Sequence, residues 1–278
     1  MTEFYAAGKR FPLNRTYVMG ILNVTPDSFS DGGKYIDPRN AVAHGLRLLD
    51  EGAGMLDLGA ESTRPFAEPV PEGEEIARLM PVVARLREQR PDVVLSVDTL
   101  KAGTARAALE GGADINDVSA CVADPALLDV LAEYKPGYVL MHSQGSPREM
   151  QVNPRYGNVV EEILAFFEEH LARLVKAGLP EDRIVLDPGI GFGKNKDHTV
   201  AILKGLERFA SLGRPLYVGL SRKSMFREIL GLELEQRAEA TRLAVALLAA
   251  RGIPYHRVHD VAGCAQALRL VEAMTPLA

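Results

Sequence analysis

Short apolar runs alternate with amphipathic segments along almost the whole chain. The apolar runs are rich in β-forming residues and predict eight strands, at 17–23, 55–60, 93–98, 113–118, 137–142, 183–187, 215–220 and 255–259. Between them, apolar residues recur at three- and four-residue spacing, as in VVEEILAFFEEHLARLVKAG (159–178), and several of these segments end at glycine. That pattern predicts helices. Strands that alternate with helices predict a parallel sheet, and their continuous apolar character predicts that both faces are covered.

Eight strand–helix units follow one another without a Pro/Gly/Ser-rich linker. They predict a single α/β domain over residues 1–278, with residues 1–15 as a short N-terminal extension. Eight repeats fit a (β/α)8 TIM barrel better than an open sheet. In such a barrel the chemistry lies at the carboxyl-terminal ends of the strands. We therefore expect the functional residues where the predicted strands end.

Composition narrows the class of protein. The chain has 278 residues, 47% hydrophobic and 25% charged, with a formal net charge of −5, which argues against a nucleic-acid partner. No apolar run approaches the roughly 18 residues needed to span a bilayer, and the first 15 residues lack the apolar core of a signal peptide. Cys121 and Cys264 have no CxxC spacing, so we expect both to be reduced and buried. The expected compartment is the cytoplasm.

The stretch DPGIGFGK (187–194) suggests a phosphate-binding loop, but its spacing does not match one. In a P-loop, Pro188 would have to be the first glycine and Asn195 the hydroxyl residue. In a dinucleotide fingerprint, the third glycine would come one residue later. The stretch is therefore predicted to serve another purpose.

Short polar side chains lie at or near the ends of three of the predicted strands. Asp98, Asn116 and Asp187 belong to strands 3, 4 and 6 of the barrel and are expected to face one space. Such a set suits a flat heterocycle rich in N–H donors. The carboxylates could instead bind a metal or act as an acid/base pair, although no histidine lies close to them in the sequence.

A second group of polar residues lies on strands 1, 2 and 8, which adjoin in a closed barrel. Two arginines, a histidine and a hydroxyl suit a phosphate or diphosphate; the group consists of Asn23, Thr63, Arg64, Arg257 and His259. Asn23 could ligate a magnesium ion. Lys223, in the segment SRKS (221–224), is expected between the two groups.

Seven motifs, in order and on their predicted strands, resemble those of the dihydropteroate synthase family: LNVTPDSFSDGG, ESTRP, SVDT, INDV, LDPGIGFGK, SRKS and RVHD. They extend over residues 17–261. The resemblance implies a (β/α)8 barrel, a homodimer and a transferase of folate biosynthesis. That enzyme condenses 6-hydroxymethyl-7,8-dihydropterin diphosphate with 4-aminobenzoate and releases diphosphate and 7,8-dihydropteroate.

The resemblance also implies roles for individual residues. The pterin would be held by Asp98, Asn116, Met141, Asp187, Phe192, Gly219 and Lys223. The diphosphate and Mg²⁺ would be held by Asn23, Thr63, Arg64, Arg257, Val258 and His259, with Asn23 as the metal ligand. The aminobenzoate would contact Phe29, Thr63, Pro65 and Ser224. The glycines of DPGIGFGK would let the backbone turn sharply.

The implied reaction is a dissociative, SN1-like displacement assisted by magnesium. The catalytic residues would be Asp31, Thr63, Arg64, Lys223, Arg257 and His259, with Asp31 stabilising the cation or orienting the amine. The loops at 24–33 and 61–70 would close over the site. The chain departs from the usual family pattern at Ala60, Phe66 and Ser143, none of which is an expected pterin or diphosphate contact.

Two other functions remain open at this point. A methyltransferase that uses methyltetrahydrofolate and a corrinoid partner would share the pterin acids, but it has no use for a diphosphate site. A catalytically silent pterin-binding subunit would leave the loop residues without a role. The apolar helix predicted at 237–252 could form part of an interface or pack against the barrel.

Overall fold

The computed structural model describes residues 3–25, 37–61, 69–145, 150 and 153–275. A hairpin of two antiparallel strands comes first, β1 (Glu3–Ala6) and β2 (Lys9–Pro12). The barrel strands are β3 (Tyr17–Asn23), β4 (Met55–Gly59), β5 (Leu95–Asp98), β6 (Asp114–Asp117), β7 (Tyr138–Met141), β8 (Ile184–Asp187), β9 (Tyr217–Val218) and β10 (Tyr255–Val258).

These eight strands are parallel and neighbour one another in the order β8-β7-β6-β5-β4-β3-β10-β9. The Leu186 N–H donates to the Pro215 carbonyl at 2.9 Å, and a parallel bridge between Leu186 and Leu216 closes the circle. The predicted barrel is therefore confirmed. Each predicted strand is present. The first has its predicted bounds, 17–23, and the others are shorter by one to four residues; the largest difference is in β9, which keeps only Tyr217 and Val218 of 215–220.

Helices follow the barrel strands and cover the outside of the barrel. In the described part of the chain they are α1 (Pro38–Asp50), α2 (Glu72–Gln89), α3 (Ala102–Glu110), α4 (Leu127–Tyr134), α5 (Val159–Ala177), α6 (Lys196–Lys204), α7 (Leu206–Ala210), α8 (Met225–Leu230), α9 (Arg237–Ala249) and α10 (Val261–Met274), with 3-10 turns at Glu181–Arg183 and Leu234–Gln236.

Helix α5 shows how the sequence sets these elements. The Asn158 side chain accepts from the backbone N–H groups of Val160 and Glu161, which caps the first turn. The helix ends at Gly178, whose left-handed φ of 109° is favourable for glycine. Its buried residues, Val159, Ile163, Phe167, His170 and Leu174, recur at helical spacing and pack against the barrel.

Side chains of the barrel strands alternate between two cores. One set points outward against the helices, with Leu22, Leu56, Leu58 and Val97 among its fully buried members. The other set fills the barrel interior near the amino-terminal ends of the strands; it contains Met19, Met55, Val94, Val139, Val185, Tyr217 and Tyr255. This period-two alternation decides which residues can face a ligand at the opposite end.

The N-terminal extension forms a structure that the sequence analysis did not anticipate. Residues 3–12 form the hairpin β1–β2, which places Phe4 and Phe11 in the interior core. The Phe4 ring meets Tyr255 edge-on at 5.5 Å between centroids. The hairpin therefore closes the amino-terminal end of the barrel and leaves the carboxyl-terminal end for the site.

One smaller expectation is also met. Cys121 and Cys264 are buried free thiols. Of the helices in the described residues, none has the length and apolar character required to cross a membrane.

Candidate functional site

Charged side chains meet inside the carboxyl-terminal end of the barrel. Arg257 on β10 donates from Nε to Asp57 Oδ2 at 2.6 Å and from Nη2 to Asp98 Oδ2 at 3.1 Å. Asn116 Nδ2 donates to the same Asp57 oxygen at 3.0 Å. Arg257 therefore contacts the carboxylates of both Asp57 and Asp98 directly. Arg257, which the sequence analysis placed with the anion-binding residues, therefore belongs to one network with Asp98 and Asn116.

Asp57 was missed by the sequence analysis. It lies in the middle of β4, in the apolar run MLDLG, and its side chain is 0% exposed. Its Oδ1 atom has no hydrogen-bond partner among the described residues, which suits a donor from a ligand. The signal was present, because a carboxylate inside an apolar strand must be paired. Asp57 lies in the middle of its strand, so an expectation based on strand ends did not include it.

Burial changes the acidity of the carboxylates at this end of the barrel. It raises the pKa of Asp98 to about 7; Asp57 adds to the rise and Arg257 opposes it. Burial also raises the pKa of Asp187 to about 6, while the Gly189 N–H and Lys223 oppose the rise. Both groups therefore titrate near neutrality, which is unusual for aspartate.

The glycines of DPGIGFGK make a sharp turn after β8, as expected. Gly189, Gly191 and Gly193 have φ values of +64°, +81° and +64°, which residues other than glycine rarely adopt. A Cβ at Gly189 would meet the His142 carbonyl oxygen at 1.9 Å, and one at Gly193 would meet the Gln144 oxygen at 2.5 Å. The loop thus packs backbone to backbone against the segment after β7.

Lys223 lies beside this loop and near the carboxylates. Its ammonium is 4.2 Å from the centroid of the Phe192 ring, a cation–π contact. A Cβ at Gly191 would come within 3.2 Å of Lys223 Cδ. Burial, and next the charge of Arg257, lower the pKa of Lys223 to about 8, while Asp187 and Asp98 oppose the fall.

The residues expected to bind an anion lie at the ends of neighbouring strands. Asn23 ends β3 with an exposed side chain, and His259 follows β10. Ser221 Oγ accepts the His259 backbone N–H at 3.1 Å and lies 2.9 Å from His259 Nδ1. Ser221 therefore holds the orientation of the imidazole ring, a role that the sequence did not suggest.

The other described candidates are placed as follows. By strand alternation, Met141 and Gly219 face the barrel interior, and Gly219 lies next to Arg257. Ser224 is exposed immediately before α8. Val258 does not face the site: its side chain is 0% exposed in the outer core, so only its backbone could reach a ligand. Phe29, Asp31, Thr63, Arg64 and Pro65 lie outside the described residues.

The described residues offer little to a metal ion without help from a ligand. They contain no group of three His, Cys, Asp or Glu side chains arranged to hold one. Asn23 supplies one exposed amide oxygen at the rim. Magnesium commonly binds through one or two protein oxygens together with substrate phosphates. The site therefore fits Mg²⁺ if the phosphates of a bound substrate supply the remaining ligands.

Fold and site together define an α/β-barrel protein whose interior end suits a flat, donor-rich heterocycle beside an anion. Residues 19–259 match the family described as "Pterin binding enzyme". The dihydropteroate synthase of Escherichia coli is 41% identical over 272 residues, 98% of this chain and 96% of that protein. The Bacillus subtilis enzyme of the same name is 41% identical over 261 residues, 94% of this chain and 89% of that protein.

Solved structures agree. The Yersinia pestis dihydropteroate synthase with a sulfonamide drug has a TM-score of 0.91 at 42% identity, covering 98% of both chains. The Xanthomonas albilineans enzyme in complex with 7,8-dihydropteroate has a TM-score of 0.87 at 43% identity, again covering 98% of both. The chain belongs to the dihydropteroate synthase family, transferases of folate biosynthesis. The methyltransferase and the silent binding subunit are thereby disfavoured.

Proposed function

We propose that the protein condenses 6-hydroxymethyl-7,8-dihydropterin diphosphate with 4-aminobenzoate, forming 7,8-dihydropteroate and diphosphate. One observation carries the assignment of its site. Asp57, Asp98, Asn116 and Arg257 form one network inside the barrel mouth. Relatives support the substrates, because the Xanthomonas albilineans enzyme is known with 4-aminobenzoic acid and with 7,8-dihydropteroate.

The buried acceptors select the pterin ring. Asp187 uses Oδ1 to accept the Gly189 N–H at 2.7 Å, which leaves Oδ2 for a ring donor. Asn116 uses Nδ2 on Asp57, which leaves its amide oxygen as an acceptor. Asp98 and the unpartnered Asp57 Oδ1 supply further acceptors. A ring that presents an amino group and ring N–H donors satisfies this set.

Lys223 supplies the donor on the other edge of the ring. Phe192 packs beneath its ammonium, and Met141 and Gly219 complete the walls. The pKa of Lys223 near 8 leaves it largely protonated at neutral pH. A carbonyl oxygen on the ring can therefore accept from a charged donor, which is a stronger bond than one from a neutral group.

The diphosphate binds across the adjoining ends of β3 and β10. Asn23 and His259 reach it from the rim, Arg257 adds charge from below, and the Val258 backbone lies between them. Thr63 and Arg64 complete this set by family resemblance. A magnesium ion held by Asn23 and the phosphates would neutralise charge on the leaving group.

The reaction breaks the bond between the exocyclic CH₂ and the diphosphate oxygen, and the bonding electrons leave with the diphosphate. The electron-rich dihydropterin stabilises the cation that remains. The neutral amine of 4-aminobenzoate then forms the new C–N bond and loses one proton. Arg257 and His259 stabilise the developing negative charge. Asp31 stabilises the cation or orients the amine, and the loops at 24–33 and 61–70 exclude water.

The aminobenzoate approaches from the rim. Phe29, Thr63 and Pro65 are its expected contacts on the loops, together with Ser224. Ser224 lies at the start of α8, directly after Lys223, so the two substrates meet at this segment. The whole of 1–278 acts as one catalytic domain in the cytoplasm.

The protein is a homodimer that pairs through α9 and α10. Leu243 and Leu247 are one turn apart on α9 and are 61% and 68% exposed; Leu270 and Met274 are one turn apart on α10 and are 61% and 74% exposed. The two helices pack against each other, and we expect these exposed residues to meet the partner subunit together. Sedimentation should show a dimer, and Leu247→Glu should give monomers, whereas Glu235→Gln should not.

The function is tested by incubating purified protein with the pterin diphosphate and magnesium, with and without 4-aminobenzoate. We expect diphosphate release that depends on or is accelerated by the amine, with dihydropteroate as product. Chelating the magnesium should slow both the release of diphosphate and the formation of dihydropteroate. Pterin binding without release in any condition would contradict a synthase and favour a carrier. Methyl transfer from methyltetrahydrofolate to a corrinoid would favour the methyltransferase.

A further inference from the structure

Lys194, the last residue of DPGIGFGK, is a buried amine that the proposed reaction does not use. Burial lowers its pKa to about 7, while the charge of Asp187 opposes the fall, so its charged and neutral forms are both present near neutral pH. It is 4% exposed, and lysine is almost never buried this deeply without partners. No carboxylate among residues that the structure describes lies within salt-bridge distance of its ammonium. Its partners are instead neutral. This arrangement calls for an explanation other than ion pairing.

Three acceptors surround the ammonium. Lys194 Nζ is 2.9 Å from His142 Nδ1, 2.9 Å from the Phe192 carbonyl oxygen and 3.2 Å from the His142 carbonyl oxygen. A lysine ammonium has three N–H donors and no acceptor. In its charged form the side chain therefore has one donor for each of the three acceptors. A methyl or amide group in its place would leave at least one acceptor unpaired.

His142 is held in the form that this contact requires. Burial, and next the charge of Lys194, lower its pKa to about 3, so the ring is neutral at physiological pH. A neutral ring that accepts at Nδ1 carries its proton on Nε2. The ring is fixed on its outer side by Phe166, which meets it edge-on at 4.8 Å between centroids.

The acceptors come from two segments whose relative position must be fixed for the site to keep its shape. His142 follows β7, and the Phe192 carbonyl belongs to the glycine loop after β8. The loop approaches the His142 carbonyl so closely that only glycine fits at 189. Phe192 in turn supports the ammonium of Lys223. A shift of the loop would therefore move Phe192 and Lys223 together.

We propose that Lys194 is a positioning residue, whose side-chain amine ties the glycine loop to the end of β7 and so holds Phe192 and Lys223 in place for the pterin ring. It acts through these two residues and does not touch the substrate. The proposal rests on the proposed function, since it concerns the pterin side of that site.

The first test compares Lys194→Met with Lys196→Met. Methionine keeps the length of the side chain and removes all three donors. Lys196 lies two residues later and is exposed at the start of α6, so it serves as the matched control. We expect Lys194→Met to raise KM for the pterin diphosphate by about tenfold, the effect of losing one hydrogen bond to a charged group. KM for 4-aminobenzoate should change less than twofold, and Lys196→Met should change neither.

A second pair of variants covers the case in which Lys194→Met does not fold. His142→Asn keeps an acceptor near the position of Nδ1, and His142→Leu removes it. We expect His142→Leu to raise the pterin KM by a few-fold and His142→Asn to restore most of it. Equal effects on both substrates, or no difference between the two His142 variants, would overturn the proposal.

Direct binding separates this proposal from the proposed function. Calorimetry with 6-hydroxymethylpterin alone requires no turnover. If the wild-type protein binds the pterin but releases no diphosphate, the proposed synthase fails while the role of Lys194 is still measured by the loss of pterin affinity. If Lys194→Met folds and binds the pterin as tightly as the wild type, the positioning role is wrong.

Discussion

The two ends of the barrel interior are built from the same strands and have opposite character. On three strands, one step of two residues changes an apolar side chain into a charged one, about 7 Å further along. Met55 precedes Asp57 on β4, Val185 precedes Asp187 on β8, and Tyr255 precedes Arg257 on β10. The amino-terminal end is closed by an aromatic hairpin, whereas the carboxyl-terminal end carries the candidate site.

This difference shows what each end contributes. The apolar end removes side chains from water and stabilises the fold. It also forms the floor beneath the charged end, and that floor contributes to the burial that raises the pKa of Asp98 and Asp187. Changes at the two ends should have separable effects on stability and on activity.

The largest effect is expected from Arg257→Met at the charged end. It leaves Asp57 buried without its cation, which should lower the free energy of unfolding by about 3–5 kcal/mol. It also removes charge from the proposed diphosphate site, so kcat/KM should fall by at least about 100-fold. Urea denaturation measures the free energy of unfolding, and initial rates measure kcat/KM. Arg227→Met, at an exposed arginine, is the control, and a variant with normal stability would show that the buried pair is not needed for folding.

At the apolar end, Phe4→Ala should affect stability alone. The Phe4 side chain is 5% exposed and packs on Tyr255, so its removal should lower the free energy of unfolding by about 3 kcal/mol. The rate per folded molecule should stay within twofold when it is measured at a temperature where the variant is folded. A large fall in that rate, with stability preserved, would mean that the two ends are not independent.

A smaller effect is expected from the titration of Asp187. Its pKa is about 6 in the folded protein and near 4 when unfolded, so the folded state holds the proton more tightly. The contribution of this one group to stability is then greatest below pH 4 and falls as the pH rises from about 4 to 6, by about 3 kcal/mol. Asp187→Asn should remove that part of the pH dependence in urea denaturation between pH 4.5 and 8.

Binding of the pterin should follow the opposite direction. The ionised carboxylate accepts donors from the ring, so KM for the pterin diphosphate should rise as the pH falls below about 6. Asp98 should contribute to the same change, because its pKa is about 7. A pterin KM that is flat between pH 5 and 8 would argue that neither group changes charge in the free enzyme.

The smallest effect is expected from Tyr255→Phe. The Tyr255 hydroxyl is buried and has no hydrogen-bond partner among the described residues. Removing a buried hydroxyl without a partner should leave the free energy of unfolding unchanged or raise it by up to about 1 kcal/mol. Thermal unfolding at constant protein concentration measures this. A loss of more than about 1 kcal/mol would indicate that the hydroxyl is satisfied by a bound water.

Much of the fold could be predicted because each unit carries its own signal. Apolar runs of strand length, amphipathic helices and glycine stops are local, and all eight predicted strands were found. The polar strand ends were equally visible, so Asp98, Asn116, Asp187, Lys223, Arg257 and His259 could be named in advance. The same local rules did not identify the hairpin at 3–12, since its strands are short and gain stability only by packing against the barrel.

Strand alternation could separate some candidates but was not applied to all of them. Val258 lies between Arg257 and His259 in the motif RVHD, yet its side chain points outward into the core. Asp57 lies in a run of apolar residues that the sequence analysis treated only as a strand. Alternation places its side chain on the interior face, where Arg257 bonds to both Asp57 and Asp98. For both residues the direction of the side chain, rather than its place in a motif, decides whether it can meet a ligand.

The sequence by itself determined the order of the elements, the family and the kind of residue at each strand end, because these follow from local periodicity and local motifs. Only the tertiary structure decided the pairings: Arg257 with Asp57 and Asp98, Ser221 with His259, and Lys194 with His142. The partners in these pairs are 200, 159, 38 and 52 residues apart. Closing the barrel brings them together and removes water, and that burial sets their contacts and their acidity.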